Sequence, residues 1–280
     1  MKPLITAEEL YGLGPTKSLV LIDARSGREA YTQYQAQHLR EARHVDLDQD
    51  LAAPVANAAH GGRHPLPTVQ SFAEVLGRLG IGPESRVVVY DDKAGANAAA
   101  RFWWMLTAVG HRAVQVLDGG LAAALASGYP TSAGPEAPDA SPAYAAMSWQ
   151  LPTVTIEEVE RATQTGSHLI IDVREGARYR GEIEPIDLVA GHIPTAVNIP
   201  FSSNLAADGS YLAPELLREK YAQAMGSRES AEVIVHCGSG VTACHTLLAM
   251  AHAGLPVPNL YVGSWSEWSR TERPIAIGLA

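Results

Sequence analysis

Cys237 has the residue type and setting best suited to covalent chemistry. It ends the apolar, β-branched run Val233-Ile234-Val235-His236 and opens the small-residue loop Gly238-Ser239-Gly240-Val241-Thr242, after which a helical pattern resumes. Such a strand, loop and helix can turn several backbone N–H groups toward one point, and Gly238 and Gly240 tolerate the backbone angles this requires. The positive end of the helix dipole adds to them, so an anion at the loop centre is stabilised and the thiolate is favoured over the thiol. Cys237 is therefore the candidate nucleophile. A buried structural cysteine is the alternative, and the two glycines argue against it.

Cysteine phosphatases use the same device, with an arginine six positions after the cysteine to grip a phosphate dianion. Here that position is Ala243. The loop carries no charged side chain, which suits a sulfur species held by N–H groups better than a phosphate.

The elements that must position this loop occur twice. Leu21-Ile22-Asp23-Ala24-Arg25 returns as Ile170-Ile171-Asp172-Val173-Arg174, and His38-Leu39 with Ala42 returns as His192-Ile193 with Ala196. Val87-Val88-Val89-Tyr90-Asp91 returns as Val233-Ile234-Val235-His236-Cys237, and Asp118-Gly119-Gly120-Leu121 as Val262-Gly263-Ser264-Trp265. A nearly constant spacing between partners predicts two homologous domains, over 1–140 and 150–280. Residues 128–152, rich in Pro, Ala, Ser and Gly, read as an exposed linker with the boundary near 140.

Within each half, short β-branched runs alternate with helical patterns. Strands are expected over 19–23, 86–90 and 113–117, then 169–173, 233–236 and 259–262; helices over 68–79 and 98–109, then 156–165, 214–225 and 242–253. This alternation indicates α/β domains, each a mostly parallel sheet with helices on both faces, whose ligands sit at the carboxyl ends of the strands. Cys237 is at such an end.

Composition narrows the function classes. The chain has 280 residues, 46% of them hydrophobic and 18% charged, with a formal charge of −9 that disfavours nucleic acid or an anionic membrane as partner. No apolar run approaches the roughly 18 residues of a membrane span. The opening MKPLITAEEL lacks the character of a signal or transit peptide. Cys237 and Cys244 lie across a predicted helix, a poor geometry for a disulfide, so the cytoplasm is the expected compartment. Ten histidines with two cysteines and no pair at ligand spacing do not suggest a metal site. Gly119-Gly120 lacks the pattern of a dinucleotide loop.

The tandem halves, the Asp-x-Arg after the first strand of each, Gly191-His192-Ile193-Pro194, CGSGVTAC and GSWSEW together resemble the two-domain rhodanese-type sulfurtransferases over nearly the whole chain. The uncharged loop resembles the 3-mercaptopyruvate branch. The resemblance implies two tandem rhodanese-like domains and transfer of a sulfane sulfur through a Cys237 persulfide. The donor is 3-mercaptopyruvate or, alternatively, thiosulfate, and the acceptor is cyanide or a thiol such as a thioredoxin-like protein. It implies no metal or organic cofactor. A persulfide carrier with little small-molecule turnover is a further alternative.

The resemblance also implies site residues. Gly238, Gly240, Val241 and Thr242 form the cradle, and Ser239 pairs with His64 and with Asp46 of the first half in a proton relay, with Asp48 and Asp50 as rivals for the last place. Arg178 binds the donor carboxylate, with Arg180 close by. A second arginine expected before Gly191 is replaced by Ile186, and Arg63 is a candidate substitute. Asp91 stands where Cys237 stands, so the first domain should be catalytically silent; a solvated loop acid or a cap is its expected role. Arg25 with Asp23, Arg174 with Asp172, and His38 with His192 recur in both halves and read as structural. Trp103-Trp104 reads as core, and Trp265 and Trp268 as packing or as a wall of the acceptor side.

Overall fold

The computed structural model describes residues 1–14, 16, 18–136, 144–146 and 148–278. The chain forms two compact units: Met1–Ala53, Pro67–Gln150 and Ala207–Tyr211 in one, Pro54–Leu66, Leu151–Ala206 and Leu212–Ala280 in the other. Each half of the sequence thus lends a short segment to the other unit.

The first unit holds a five-stranded parallel sheet in the order Leu4–Ile5, Val114–Leu117, Arg86–Tyr90, Leu19–Asp23, Arg43–His44. The second repeats it as Thr153–Val154, Asn259–Tyr261, Val233–His236, Leu169–Asp172, Val197–Asn198. The central strands are continuous Val, Ile and Leu runs because both faces are covered by helices. Val87, Val88, Val89, Val233 and Val235 are fully buried.

The repeat reaches further toward the N-terminus than the sequence comparison found. Thr6 with Glu9 and Thr155 with Glu158 both form capping boxes, opening Ala7–Leu13 and Ile156–Thr165 just after the edge strands. The expected helices lie at Val69–Arg78, Ala99–Ala108, Ile156–Thr165, Pro214–Met225 and Ala243–His252. Trp103 and Trp104 are core residues, as expected.

The paired motifs prove structural in both units. Arg25 forks onto Asp23 and donates to the Gln37 carbonyl; Arg174 forks onto Asp172 and donates to the Gly191 carbonyl. His38 stacks on Tyr34 and His192 on Tyr179, each with Nδ1 on the carbonyl of its tyrosine.

The expected exposed linker is instead tied to the first unit at several described points. Thr131–Ser132 pairs with His38–Leu39, Tyr144 N–H donates to the Ala73 carbonyl, and Trp149 packs against Phe72 and Trp104. The aromatic residues within this polar, Pro-rich stretch supply the burial that its composition conceals. The boundary expected near residue 140 lies outside the described residues. Among the described residues, no helix is long and apolar enough to cross a membrane.

Candidate active site

Cys237 follows the central strand Val233–His236 and is 3% exposed. Its backbone is clamped from two sides. Cys237 N–H donates to Ser264 Oγ at 3.2 Å, while the Cys237 carbonyl accepts from Trp265 N–H at 3.0 Å. Ser264 adopts φ 54°, a left-handed backbone unusual for a residue with a side chain, and its repeat partner Gly120 sits at φ 59°. The serine thus holds a turn that glycine makes more easily, and its hydroxyl reaches the nucleophile's backbone.

The loop then turns at Gly240, φ 75°, where a Cβ would collide with the Val262 carbonyl. Among the described residues, the N–H groups of Gly238, Ser239, Val241 and Thr242 meet no protein acceptor. The corresponding loop of the first unit shows what such donors do. Asp91, at the cysteine position, is fully buried and accepts from the N–H groups of Lys93, Gly95, Asn97 and Ala99 at 2.8–3.2 Å. Asp91 is therefore a loop-filling cap, and its burial excludes the solvated role. Burial pushes its carboxyl above the ordinary range, against four hydrogen bonds that favour the anion.

His64 and Ser239 meet within the second unit. Pro54–Leu66 belongs to that unit, and His64 Nδ1 lies 2.7 Å from Ser239 Oγ. With the ring proton on Nε2, the Ser239 hydroxyl donates to Nδ1. The segment is held by Gly61 N–H on Glu267 Oε1 and Arg63 N–H on Ser266 Oγ, and a Cβ on Gly62 would strike Gly263.

Asp46 lies in the first unit, where its Oδ1 accepts from the N–H groups of Asp48 and Gln49 and caps Leu47–Asp50. Arg178 stands beside the loop: a Cβ at Gly238 would lie 3.6 Å from its Nη2 and 3.3 Å from Nη2 of Arg63.

Comparison with known proteins gives the family. The Rhodanese-like domain model matches residues 6–127 and 155–271. The chain belongs to the two-domain rhodanese-like sulfurtransferases. It is 41% identical to a probable 3-mercaptopyruvate sulfurtransferase of Pseudomonas aeruginosa, over 98% of both chains. It is 38% identical to a putative thiosulfate sulfurtransferase of Mycobacterium tuberculosis, over 99% of this chain and 98% of the relative. The solved 3-mercaptopyruvate sulfurtransferase of Leishmania major superposes with a TM-score of 0.82 at 28% identity, covering 98% of this chain and 76% of that one.

In this rhodanese-like enzyme, residues missed by sequence reading surround Arg178. Glu184 takes its Nε and Nη2 at 3.1 and 2.7 Å, and Asp187 is shared by Arg63, Arg178 and Arg270. Burial pushes the Glu184 carboxyl up, but Arg178 and the N–H groups of Asp187 and Ile186 outweigh it and hold it below the ordinary range. Only the acids' spacing after Arg178 hinted at them.

Arg180 instead chelates Glu182 on the surface, and Ile186 is 56% exposed. Trp265 and Trp268 belong to the buried core, Trp265 beneath the Arg174 guanidinium at 4.6 Å. Among the described residues no group of three or more metal-ligand side chains occurs.

Proposed function

We propose that this enzyme takes sulfane sulfur from 3-mercaptopyruvate onto Cys237 and passes it to a thiol or to cyanide. The observation that carries the reading is the His64–Ser239 hydrogen bond two residues beyond the cysteine, beside a loop against which the Arg63 and Arg178 guanidiniums lie. The Cys237 thiolate attacks the donor sulfur, forming an S–S bond as the C–S bond breaks. Its electron pair leaves with pyruvate enolate, which takes a proton at carbon. Ser239 and His64 are suited to carry that proton. A persulfide remains, held by the N–H groups of the Gly238, Ser239, Gly240, Val241 and Thr242 loop. An acceptor thiolate then attacks its outer sulfur and releases Cys237, a two-step scheme with a covalent intermediate.

Arg178 is assigned to the donor carboxylate, in the bidentate manner open to guanidinium, and Arg180, whose fork is held by Glu182, is assigned only a charge at the outer rim. Asp46, whose Oδ1 caps Leu47–Asp50, is assigned to the relay by the family resemblance alone. The protein acceptor is of thioredoxin-like type, and free Cys237 and Cys244 fit the reducing cytoplasm. Thiosulfate is the second reading, because two guanidiniums at Gly238 also suit a dianion.

The test is intact mass after incubation with each donor, alongside pyruvate release. The expected result is a gain of about 32 Da, one sulfur, that disappears with cyanide and never forms in Cys237→Ser. Loading by thiosulfate alone selects the second reading, and loading without turnover selects a carrier. Failure of both donors to load Cys237 overturns the assignment.

A further inference from the structure

We propose that Arg63 is a specificity-determining cation of this site, a second guanidinium that joins Arg178 on the anionic group of the sulfur donor. This rests on the sulfurtransferase reading and assigns a role that the position of Arg178 alone does not account for.

The first support is proximity to the reacting residue. Of the two guanidiniums beside Gly238, that of Arg63 is the nearer, at 3.3 Å from a Cβ built there. The placement is rigid, because Ser266 joins the two segments: its N–H donates to the Gly238 carbonyl at 2.8 Å and its Oγ accepts from Arg63 N–H at 3.0 Å. Gly62, at φ 80° and with no room for a side chain, presses the same segment onto Gly263. Arg63 therefore projects from a backbone fixed to the nucleophile's own loop.

The second support is availability. Four guanidiniums, those of Arg63, Arg174, Arg178 and Arg270, meet two buried carboxylates, Glu184 and Asp187, and Arg174 alone of the four also has Asp172, so guanidiniums outnumber carboxylates in this group. The pairing is not spread evenly. Arg178 is chelated by Glu184 through Nε and Nη2, touches Asp187 as well, and its side chain is 14% exposed. Arg270 is bound to Asp187 and to the Ser266 carbonyl through one nitrogen. Among the described residues the Arg63 side chain meets one carboxylate, Asp187, at 3.1 Å through Nε and at 3.5 Å through Nη2, and it is 28% exposed. Its fork has donors to give to a carboxylate without first displacing a tight partner.

The third support comes from the loop between Arg178 and Gly191. Ile186, where a cation was expected, turns to solvent, and its N–H is bound to Glu184. The second cation of the site comes from a different segment of the chain, positioned through Asp187.

The experiment compares wild type, Arg63→Gln and Arg63→Lys in steady-state turnover of 3-mercaptopyruvate and, independently, in calorimetric binding of pyruvate. Arg63→Gln is expected to raise KM for the donor and Kd for pyruvate about tenfold or more, with kcat within about threefold, the loss of one charged hydrogen-bonding partner. Arg63→Lys, which keeps the charge but not the fork, should fall between the two and serves if the glutamine variant does not fold. Unchanged pyruvate affinity in both variants overturns the proposal, as does a fall in kcat with KM unmoved. If wild type takes no sulfur from 3-mercaptopyruvate, the donor reading fails, and the pyruvate affinities still decide the role of Arg63.

Discussion

The hydrogen bond between His64 Nδ1 and Ser239 Oγ joins residues far apart in the chain and leaves a hydroxyl between an imidazole and the nucleophile's loop. A proton carrier is needed most when the enolate departs, and less when a thiol collects the outer sulfur. His64→Ala should therefore lower pyruvate formation about 100-fold, the scale of a lost general acid or base, while discharge of a preformed persulfide to cyanide falls far less. Stopped-flow measurement of the two half-reactions checks this, and equal losses in both would remove His64 from the relay. Arg178 and Arg180, two positions apart, show how much a single residue's setting decides. One lies against Gly238 with Glu184 as a buried counter-ion, and the other spends its guanidinium on an exposed glutamate.

At the scale of elements, the two strand–loop–helix units are the same device in two states. In the first unit the loop from Asp91 runs to a helix starting at Ala99 and closes around its own carboxylate; in the second it runs to Ala243, two residues shorter. Removing that internal anion leaves buried N–H groups, those of Gly95 and Ala99 above all, without an acceptor. Asp91→Ala should cost at least about 2 kcal/mol of stability, seen as a lower urea midpoint, while Cys237 still loads with sulfur. A midpoint equal to wild type would show that the loop relaxes to other acceptors. The periodic elements around both loops were legible because a covered parallel strand must be a continuous apolar run. The Asp91 cap was legible only as an alternative, since the position of an acid in a loop does not say whether the loop folds around it.

For the whole molecule, two buried histidines and the half-buried His44 set an acid limit on stability. Burial pushes the imidazoles of His44, His111 and His236 below their ordinary value, and the Asp172 carboxylate 3.8 Å from His236 Nε2 opposes this without reversing it. The neutral ring suits His111, whose Nε2 lies 2.9 Å from the Ser85 carbonyl and whose Nδ1 lies 3.0 Å from the Tyr144 hydroxyl. In the unfolded chain these rings titrate near about 6.5. Their folded values are depressed, so the unfolded state binds more protons just below that pH. Their contribution is complete above it and is lost as pH falls toward the folded values. Thermal melting should therefore be highest near neutrality and fall from about pH 6.5 downward. A midpoint unchanged between pH 7.5 and 5 would contradict this.

The amino-acid sequence by itself determined the doubled α/β plan, the loop that presents Cys237 and the aspartate that stands at the cysteine position of its partner. These depend on local periodicity and on residue-by-residue repetition, which a linear reading captures. Only the tertiary structure decided that Pro54–Leu66 joins the second unit, that His64 meets Ser239, and that Arg63 rather than the segment around Ile186 brings a second guanidinium to Gly238. Those contacts join loops distant in the chain. Their positions follow from packing against Gly263, Ser266 and Glu267, which no backbone period encodes.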